Sequence, residues 1–228
     1  MIARMTDSLE RHLEDAARVY DRAELRSDAV VHLAGLVLAL AAVPTLITLT
    51  ATLRGDALGV VAVSVYGATL IAMLSASLAY NHIDNPEWKD RLRRLDLSAI
   101  YLKIAGTVTP FALLSGTGTL FLAAMWTVAI LATATAFLRR RRSTALSIGI
   151  GLGMGWAVLL GGGEVIATTS WPVFVLMLSG GLIYSLGTPF LVFERLRFHN
   201  AIWHGFVVAA SVVFFVAILL HVIATRVV

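Results

Sequence analysis

The sequence contains no cysteine and few charged residues. The absence of cysteine excludes disulfide bonds and metal sites built from thiolates. Only 14% of the 228 residues are charged, whereas 58% are hydrophobic, and the mean hydropathy is +0.84. This composition excludes an ordinary soluble globular protein and indicates an integral membrane protein. The net charge of +4 does not indicate nucleic-acid binding, because the basic residues lie between apolar segments.

The first 27 residues are charged and lack the continuous apolar core of a signal peptide. Their apolar residues recur every three or four positions, which predicts a short amphipathic helix on the membrane surface or against the bundle. A partly ordered, solvated arm is the alternative interpretation. We therefore divide the chain into an N-terminal arm, residues 1–27, and a transmembrane domain, residues 28–228.

Seven apolar segments follow the arm, and each is close to the ~20 residues that a helix needs to cross hydrocarbon. They span residues 28–53, 57–82, 95–115, 119–138, 143–161, 171–193 and 200–225. The longest connection contains Asn85 and Pro86, a suitable N-cap and first helical residue, which predicts a short surface helix over residues 87–94. The sequence thus predicts an all-α integral membrane bundle of seven transmembrane helices.

The distribution of lysine and arginine predicts the orientation of this bundle. Fifteen of these eighteen residues lie in the arm and in alternate connections, which seven spans place on one side of the membrane. Only Arg54 and Arg226 lie on the other side. The positive-inside rule then places the N-terminus in the cytoplasm and the C-terminus outside a plasma membrane, the inner membrane of a bacterium.

Polar side chains occur at four segment ends that this topology places on the cytoplasmic side. Such residues are costly within a membrane unless they have partners, so they are candidates for a functional site. Each residue turns a helix by about 100°, so Ser77 shares a face with Asn81, and Asn200 shares a face with His204. In both segments a neighbouring histidine lies off that face. The candidate set is Asp28, His32, Ser77, Asn81, His82, Asp96, Ser98, His199, Asn200 and His204.

Lys103 lies within a predicted span, seven residues after Asp96 and about 10 Å deeper on a similar face. An intramembrane lysine needs an anion or water, and Asp96 is the expected partner. Snorkelling or a water-filled cavity is the alternative. The seventh segment has no lysine, which excludes a retinal Schiff base, and His221 near its outer end is expected at the membrane interface.

Seven motifs follow one another along nearly the whole membrane part of the chain. They are Asp28-x-x-x-His32-x-x-Gly35, Ser77-x-x-Tyr80, Arg93-Arg94-Leu95-Asp96-x-x-Ala99-Ile100-Tyr101, Ile104-Ala105-Gly106-Thr107-x-Thr109-Pro110-Phe111, Met154-Gly155-Trp156, Gly180-Gly181-x-x-Tyr184-x-x-Gly187 and Ala201-Ile202-Trp203-His204-x-Phe206-Val207. With these motifs the chain resembles the hemolysin III branch of the progestin and adipoQ receptor (PAQR) family. The resemblance implies seven helices and a cytoplasmic N-terminus, in agreement with the charge distribution.

The resemblance also implies a zinc site near the cytoplasmic side. The family pattern takes one histidine from the second helix, four residues after a serine, and two from the seventh helix, with an aspartate of the third beside the metal-bound water. Ser77, Asp96 and His204 match this pattern. Asn81 and Asn200 stand where the pattern has its other two histidines.

Three interpretations of this departure remain open. In the first, local shifts of helix phase allow His82 and His199 to bind zinc with His204. In the second, Asn81 and Asn200 contribute carbonyl oxygens, which suit harder ions than zinc. In the third, the polar groups form a hydrogen-bonded network without a metal. In each case Asp28, His32 and Lys103 are supporting polar residues.

Two functional hypotheses follow. The first is a hydrolase of lipid amides, implied by ceramidase-like relatives, in which Asp96 acts as general base or orients water, Ser77 stabilises an oxyanion and His204 is a metal ligand. The second is a non-enzymatic membrane sensor or homeostasis protein with a degenerate metal site. A cytolysin or pore is suggested only by the family name. In each hypothesis the partner is a membrane lipid and not a nucleic acid.

Overall fold

The computed structural model describes residues 20–138, 144–193 and 195–226, and each regular element within these ranges is an α-helix. We number the helices in chain order. They are α1, Arg22–Arg54; α2, Ala57–His82; α3, Pro86–Ser115; α4, Thr119–Leu138; α5, Thr144–Gly161; α6, Gly163–Ala167; α7, Trp171–Val192; and α8, His199–Ala224. The all-α prediction is confirmed.

Six of these helices, α1 to α4, α7 and α8, are long and apolar enough to cross a membrane. Helix α5 is a shorter apolar helix, and α6 has only five residues. Large apolar side chains face outwards, for example Leu120 and Leu160, which are 84% and 92% exposed. Such a surface is suited to lipid, so the chain forms a multi-pass membrane bundle that lipid surrounds. The total of seven spans and the orientation remain predictions.

Helices α2 and α4 begin and end at the predicted residues, whereas α1 and α3 are longer than predicted. Helix α1 begins at Arg22 because Asp21 and Glu24 form a capping box. The helix predicted for residues 87–94 is not separate, because α3 continues through Arg94 and Leu95 without a break. The amphipathic helix predicted for the arm lies mostly outside the described residues.

Small residues bring α1, α2 and α3 close together. A Cβ added to Gly67 of α2 would lie 2.2 Å from Val43 of α1, and one added to Gly106 of α3 would lie 2.1 Å from Thr69 of α2. In lipid, helices associate through such close contacts, because apolar burial alone does not favour association. These contacts therefore fix the relative positions of the three helices that carry most of the candidate site.

Helix α8 packs between α1 and α7. A Cβ added to Gly35 of α1 would lie 2.6 Å from Val208, and one added to Gly187 of α7 would lie 2.6 Å from Phe206. The first turns of α8 are thereby held beside the first turns of α1.

The last turn of α8 carries His221, which is only 1% exposed. Its Nε2 lies 3.2 Å from Ser115 Oγ, and its ring centroid lies 5.2 Å from that of Phe111. Residues at the end of α3 cover the ring, so His221 packs inside the bundle, and its position at the level of the membrane interface stays a prediction.

Candidate functional site

Asp28 lies at the centre of three imidazoles. His204 Nδ1 is 2.7 Å from its Oδ1, and His82 Nε2 is 3.2 Å from its Oδ2. His32, one turn further along α1, places Nδ1 3.4 Å from Oδ2. The carboxyl side chain is only 5% exposed, and a buried carboxylate is stable only when it is paired or hydrogen-bonded. The imidazoles supply that compensation, and we call these four residues the Asp28 cluster.

Ser77 of α2 joins two members of the Asp28 cluster through its hydroxyl. The Oγ is 3.1 Å from His32 Nε2 and 3.3 Å from His204 Nε2. In both rings Nδ1 lies within 3.0 Å of an oxygen of Asp28, which assigns the proton to Nδ1 and a lone pair to Nε2 of each neutral ring. One hydroxyl proton can serve only one of these two lone pairs. The second contact therefore favours an additional proton or a cation at this position.

His82 makes the cluster a candidate metal site. Its buried Nε2 lies 3.2 Å from Asp28 Oδ2, but it makes no hydrogen bond within the described part of the chain. Asp28, His32 and His82 each offer one ligand atom, and these atoms lie within 4.8 Å of one another. Catalytic zinc is bound by three such ligands with one position left open. The three residues therefore form a group that can hold a metal ion, and its donor atoms are compatible with zinc.

His199 lies outside the Asp28 cluster, although the sequence placed it among the alternative ligands. It is buried at the first residue of α8. One ring nitrogen faces Tyr20 Oη at 2.9 Å, and the other faces the Phe190 carbonyl oxygen at 3.0 Å. The structure does not bring His199 and His204 together as ligands of one ion.

The two asparagines in the predicted ligand positions are not in the cluster either. Asn81 donates from Nδ2 to the carbonyl oxygen of Ser77, 2.9 Å away on the preceding turn. Asn200 is half-buried and makes no hydrogen bond with the cluster in the part of the chain that the structure describes. The imidazoles of His32 and His82 take the places beside His204 instead.

The start of α1 is tied to the segment that leads into α8, which sets the separation of Asp28 and His204. The Phe198 amide donates to Glu24 Oε1 at 3.0 Å, and Arg197 Nη2 pairs with Asp21 Oδ2 at 3.1 Å. Phe198 has a φ of 62°, a left-handed conformation that is uncommon for a bulky residue, and the bond to Glu24 stabilises it.

Asp21 is the exposed end of this connection. The Glu24 amide, and after it the Arg197 guanidinium, hold the pKa of the Asp21 carboxyl below its ordinary value by hydrogen bonding to the ionised form. Its negative charge at the first turn of α1 also suits the positive end of the helix dipole.

A cavity of about 190 Å³ begins beside the cluster and extends through the bundle. Its polar end is lined by His32, Ser77, Asp96 and His204. Its other end reaches Ile166 of α6, the short helix that joins the end of α5 to the start of α7. The cavity wall between the polar end and Ile166 is mostly apolar. The arrangement can place a polar group at the cluster and an attached hydrocarbon chain along the bundle.

Lys103 lies in the wall of this cavity, but it is not paired with Asp96. Its Nζ donates to Tyr184 Oη at 2.6 Å. The rings of Tyr184 and Phe214 lie 4.3 and 5.1 Å from the same nitrogen. The predicted pair of Lys103 and Asp96 is therefore wrong, because the side chain extends towards α7 and α8 instead of along α3.

The chain matches the family model described as haemolysin-III related over residues 25–215. It is similar to hemolysin-3 of Bacillus cereus, with 35% identity over 202 residues that cover 87% of this chain and 92% of the relative. It is also similar to a hemolysin-3 homolog of Bacillus subtilis strain 168, with 33% identity over 198 residues, or 86% of this chain and 92% of the relative. The range that matches the family model contains the whole Asp28 cluster, Ser77 and Asp96.

Proposed function

The chain belongs to the haemolysin-III-related family, and we propose that it is an intramembrane hydrolase that cleaves lipid amides at the Asp28 cluster. A histidine-rich, charged cluster at the polar end of a mostly apolar cavity is the observation that carries this proposal. A lipid amide matches this cavity, because it has a polar amide group that can react at the cluster and an apolar acyl chain that can contact the cavity wall. The resemblance to ceramidase-like relatives supports the same class of substrate.

Asp28, His32 and His82 would hold a zinc ion, which would supply a Lewis acid for the amide carbonyl. The buried Nε2 of His82 supports this assignment, because it makes no hydrogen bond to any residue that the structure describes. His204 meets the other carboxylate oxygen of Asp28. It therefore orients the carboxylate and leaves its own Nε2 towards Ser77.

Residues of the chain supply the proton transfers and the stabilisation of charge. Asp96 accepts a proton from the water molecule whose oxygen adds to the amide carbon. Ser77 turns its one hydroxyl proton from the imidazoles of His32 and His204 to the carbonyl oxygen as that oxygen becomes negative. The C–N bond then breaks, Asp96 returns its proton to the nitrogen, and the products are a fatty acid and an amine. The apolar wall of the cavity orients the acyl chain.

Hydrolysis can be tested with the purified protein in nanodiscs that contain a ceramide. We expect release of equal amounts of fatty acid and sphingoid base, measured together by mass spectrometry. Asp96→Asn should reduce the rate by about 100-fold or more, because it removes the proton acceptor. Asp90→Asn makes the same change on the same helix, where Asp90 pairs with Arg94 at the surface, and this control should keep the rate. No release by the wild-type protein above protein-free nanodiscs would contradict the proposal.

We also infer that the Asp28 cluster lies near the cytoplasmic side of a bacterial inner membrane crossed seven times, with residues 1–27 in the cytoplasm. The asymmetry of lysine and arginine supports this orientation. The chain has no cysteine, so single-cysteine variants can be labelled without background. An impermeant maleimide added to intact cells should label Thr119→Cys and spare Asp84→Cys. The opposite pattern would reverse the orientation.

A sensor of membrane state is the second candidate function. It is favoured by the hydrogen bonds of His32 and His204, which both join Ser77 to Asp28 and so form a closed network. In this case Asp28→Asn would change a cellular membrane phenotype. The wild-type protein would nevertheless leave ceramide and other N-acyl lipids intact in the hydrolysis assay. Hydrolysis by the wild-type protein would exclude a purely non-enzymatic role.

A further inference from the structure

Lys103 forms a second polar centre, separate from the Asp28 cluster but on the same cavity. It is only 2% exposed, and its ammonium lies near the faces of two aromatic rings, which attract a cation. In the described ranges no carboxylate lies within ion-pair distance of it; the carboxylate expected there, Asp96, is not its partner. A buried positive charge without a negative partner is unfavourable in a membrane.

The hydrogen bonds around Lys103 form a chain in which each group accepts from the previous one and donates to the next. An ammonium has three donors and no acceptor, and one donor is used by Tyr184 Oη at 2.6 Å. Because Tyr184 accepts this bond, its own proton is directed to Ser211 Oγ at 2.9 Å. Ser211 donates in turn to the Val207 carbonyl oxygen at 2.8 Å. Among the residues that the structure describes, the ammonium therefore has two N–H donors without an acceptor, and it needs acceptors, not further donors.

We propose that Lys103 binds the carboxylate of a single-chain fatty acid that lies in this cavity. The carboxylate supplies one negative charge and acceptor oxygens for the two remaining N–H donors, and the apolar wall contacts the chain. A phosphate monoester brings more charge than one ammonium compensates, so a phosphorylated lipid fits less well. The site lies two helical turns from Asp96 along α3, about 10 Å away.

This binding site does not depend on the proposed hydrolase. A fatty acid could reach Lys103 from the membrane or as a product of amide cleavage, and the ammonium would bind it in the same way. Loss of binding with hydrolysis intact, or the reverse, would therefore separate the two proposals.

The two lysines of the chain allow a matched binding experiment. Lys89 lies near the surface, where its Nζ donates to the Tyr80 carbonyl oxygen, so Lys89→Gln is the control for Lys103→Met. Delipidated protein would be titrated with oleate, oleyl alcohol and oleoyl lysophosphatidate. We expect Lys103→Met to weaken oleate binding by about tenfold or more and to leave oleyl alcohol binding unchanged. Lys89→Gln should bind both as the wild type does.

Unchanged oleate binding by Lys103→Met would overturn the proposal. Binding of oleyl alcohol as tight as that of oleate would also overturn it, because the alcohol has no charge. Tighter binding of lysophosphatidate would assign the site to a phosphorylated lipid and contradict the carboxylate.

A measurement on the wild-type protein covers the case in which Lys103→Met does not fold. Labelling with ¹⁵N-lysine gives two side-chain signals, because the chain has only two lysines. The Lys89→Gln variant assigns them. Oleate should shift the Lys103 signal and oleyl alcohol should not, whereas an unperturbed Lys103 signal at saturating oleate would contradict binding there.

Discussion

Helix α8 buries a histidine near each of its ends, and the two rings have different neighbours. His204 lies 2.7 Å from the carboxylate of Asp28 and 3.3 Å from the hydroxyl of Ser77. His221 lies 3.2 Å from the hydroxyl of Ser115. Both are buried, at 7% and 1% exposure, so burial alone does not distinguish them.

The difference lies in the convergence of ionisable groups. At the start of α8, four such residues from three helices meet. One imidazole nitrogen among them makes no hydrogen bond within residues 20–138, 144–193 and 195–226. At the end of α8, one imidazole fills a space between helices and meets a serine and a phenylalanine. Ionisable groups in a membrane protein are unfavourable, and their concentration at one end therefore indicates chemistry there, whereas a single buried histidine indicates packing.

Removal of the central anion should have the largest effect on hydrolysis. Asp28→Asn keeps the size of the side chain but removes the charge that faces three imidazoles, so the rate should fall on the order of 10³-fold. Asp56→Asn is the matched control, because Asp56 forms an ordinary ion pair with Arg54 between α1 and α2. Initial rates of fatty-acid release in nanodiscs would be compared. Similar losses of hydrolysis rate in both variants would contradict a special role of the Asp28 cluster.

The affinity for zinc should also differ between variants at the two ends of α8, with a smaller change than the rate of hydrolysis shows. His82→Ala removes one of the three proposed zinc ligands, and the affinity for zinc should fall by about 100-fold. His221→Ala should keep the wild-type affinity. Competition with a chelator of known affinity, followed by elemental analysis, would measure both. If the wild-type protein took up no zinc, the assignment of Asp28, His32 and His82 as ligands would be wrong.

His221 should affect stability and not chemistry. His221→Ala leaves the Ser115 hydroxyl without its partner and opens a space beside Phe111, so the free energy of unfolding should fall by about 1–3 kcal/mol. Denaturant unfolding in detergent micelles would measure it. An unchanged midpoint would show that the contact with Ser115 contributes nothing to the fold.

The connection between Asp21 and Arg197 should have the smallest effect, because both side chains are exposed. Since the folded pKa of Asp21 is lowered, its contribution to stability is complete above the unfolded pKa near 3.8 and disappears as the pH falls through the folded value. Arg197→Gln should therefore lower the unfolding midpoint slightly at pH 7 and less in acid. A difference that grows in acid would contradict this sign.

The bounds of α2 and α4 could be predicted from the sequence because polar residues or glycine flank both apolar segments. The start of α3 could not, because hydropathy marks only the part of a helix that lies in the membrane. Residues 86–94 are polar but helical, and they continue directly into the apolar part of α3.

The sequence also predicted that polar helix ends converge. The i,i+4 pair of Asp28 and His32 indicated that the start of α1 takes part. The members of the cluster could not be predicted, because the helical periodicity of α2 does not tell which of its faces contacts α1. Once α1 packs against α2, His82 meets Asp28, whereas Asn81 bonds to its own helix.

The role of the Asp28 cluster in hydrolysis is decided by the rates of ceramide hydrolysis by His204→Asn and His221→Asn, measured side by side with the wild-type protein in nanodiscs. The two variants make the same change in the same helix. We predict a loss of about 100-fold for His204→Asn, because His204 orients the Asp28 carboxylate. For His221→Asn we predict a rate within about twofold of the wild type. Equal rates in the two variants, or no hydrolysis by the wild-type protein, would contradict the role of the Asp28 cluster in hydrolysis.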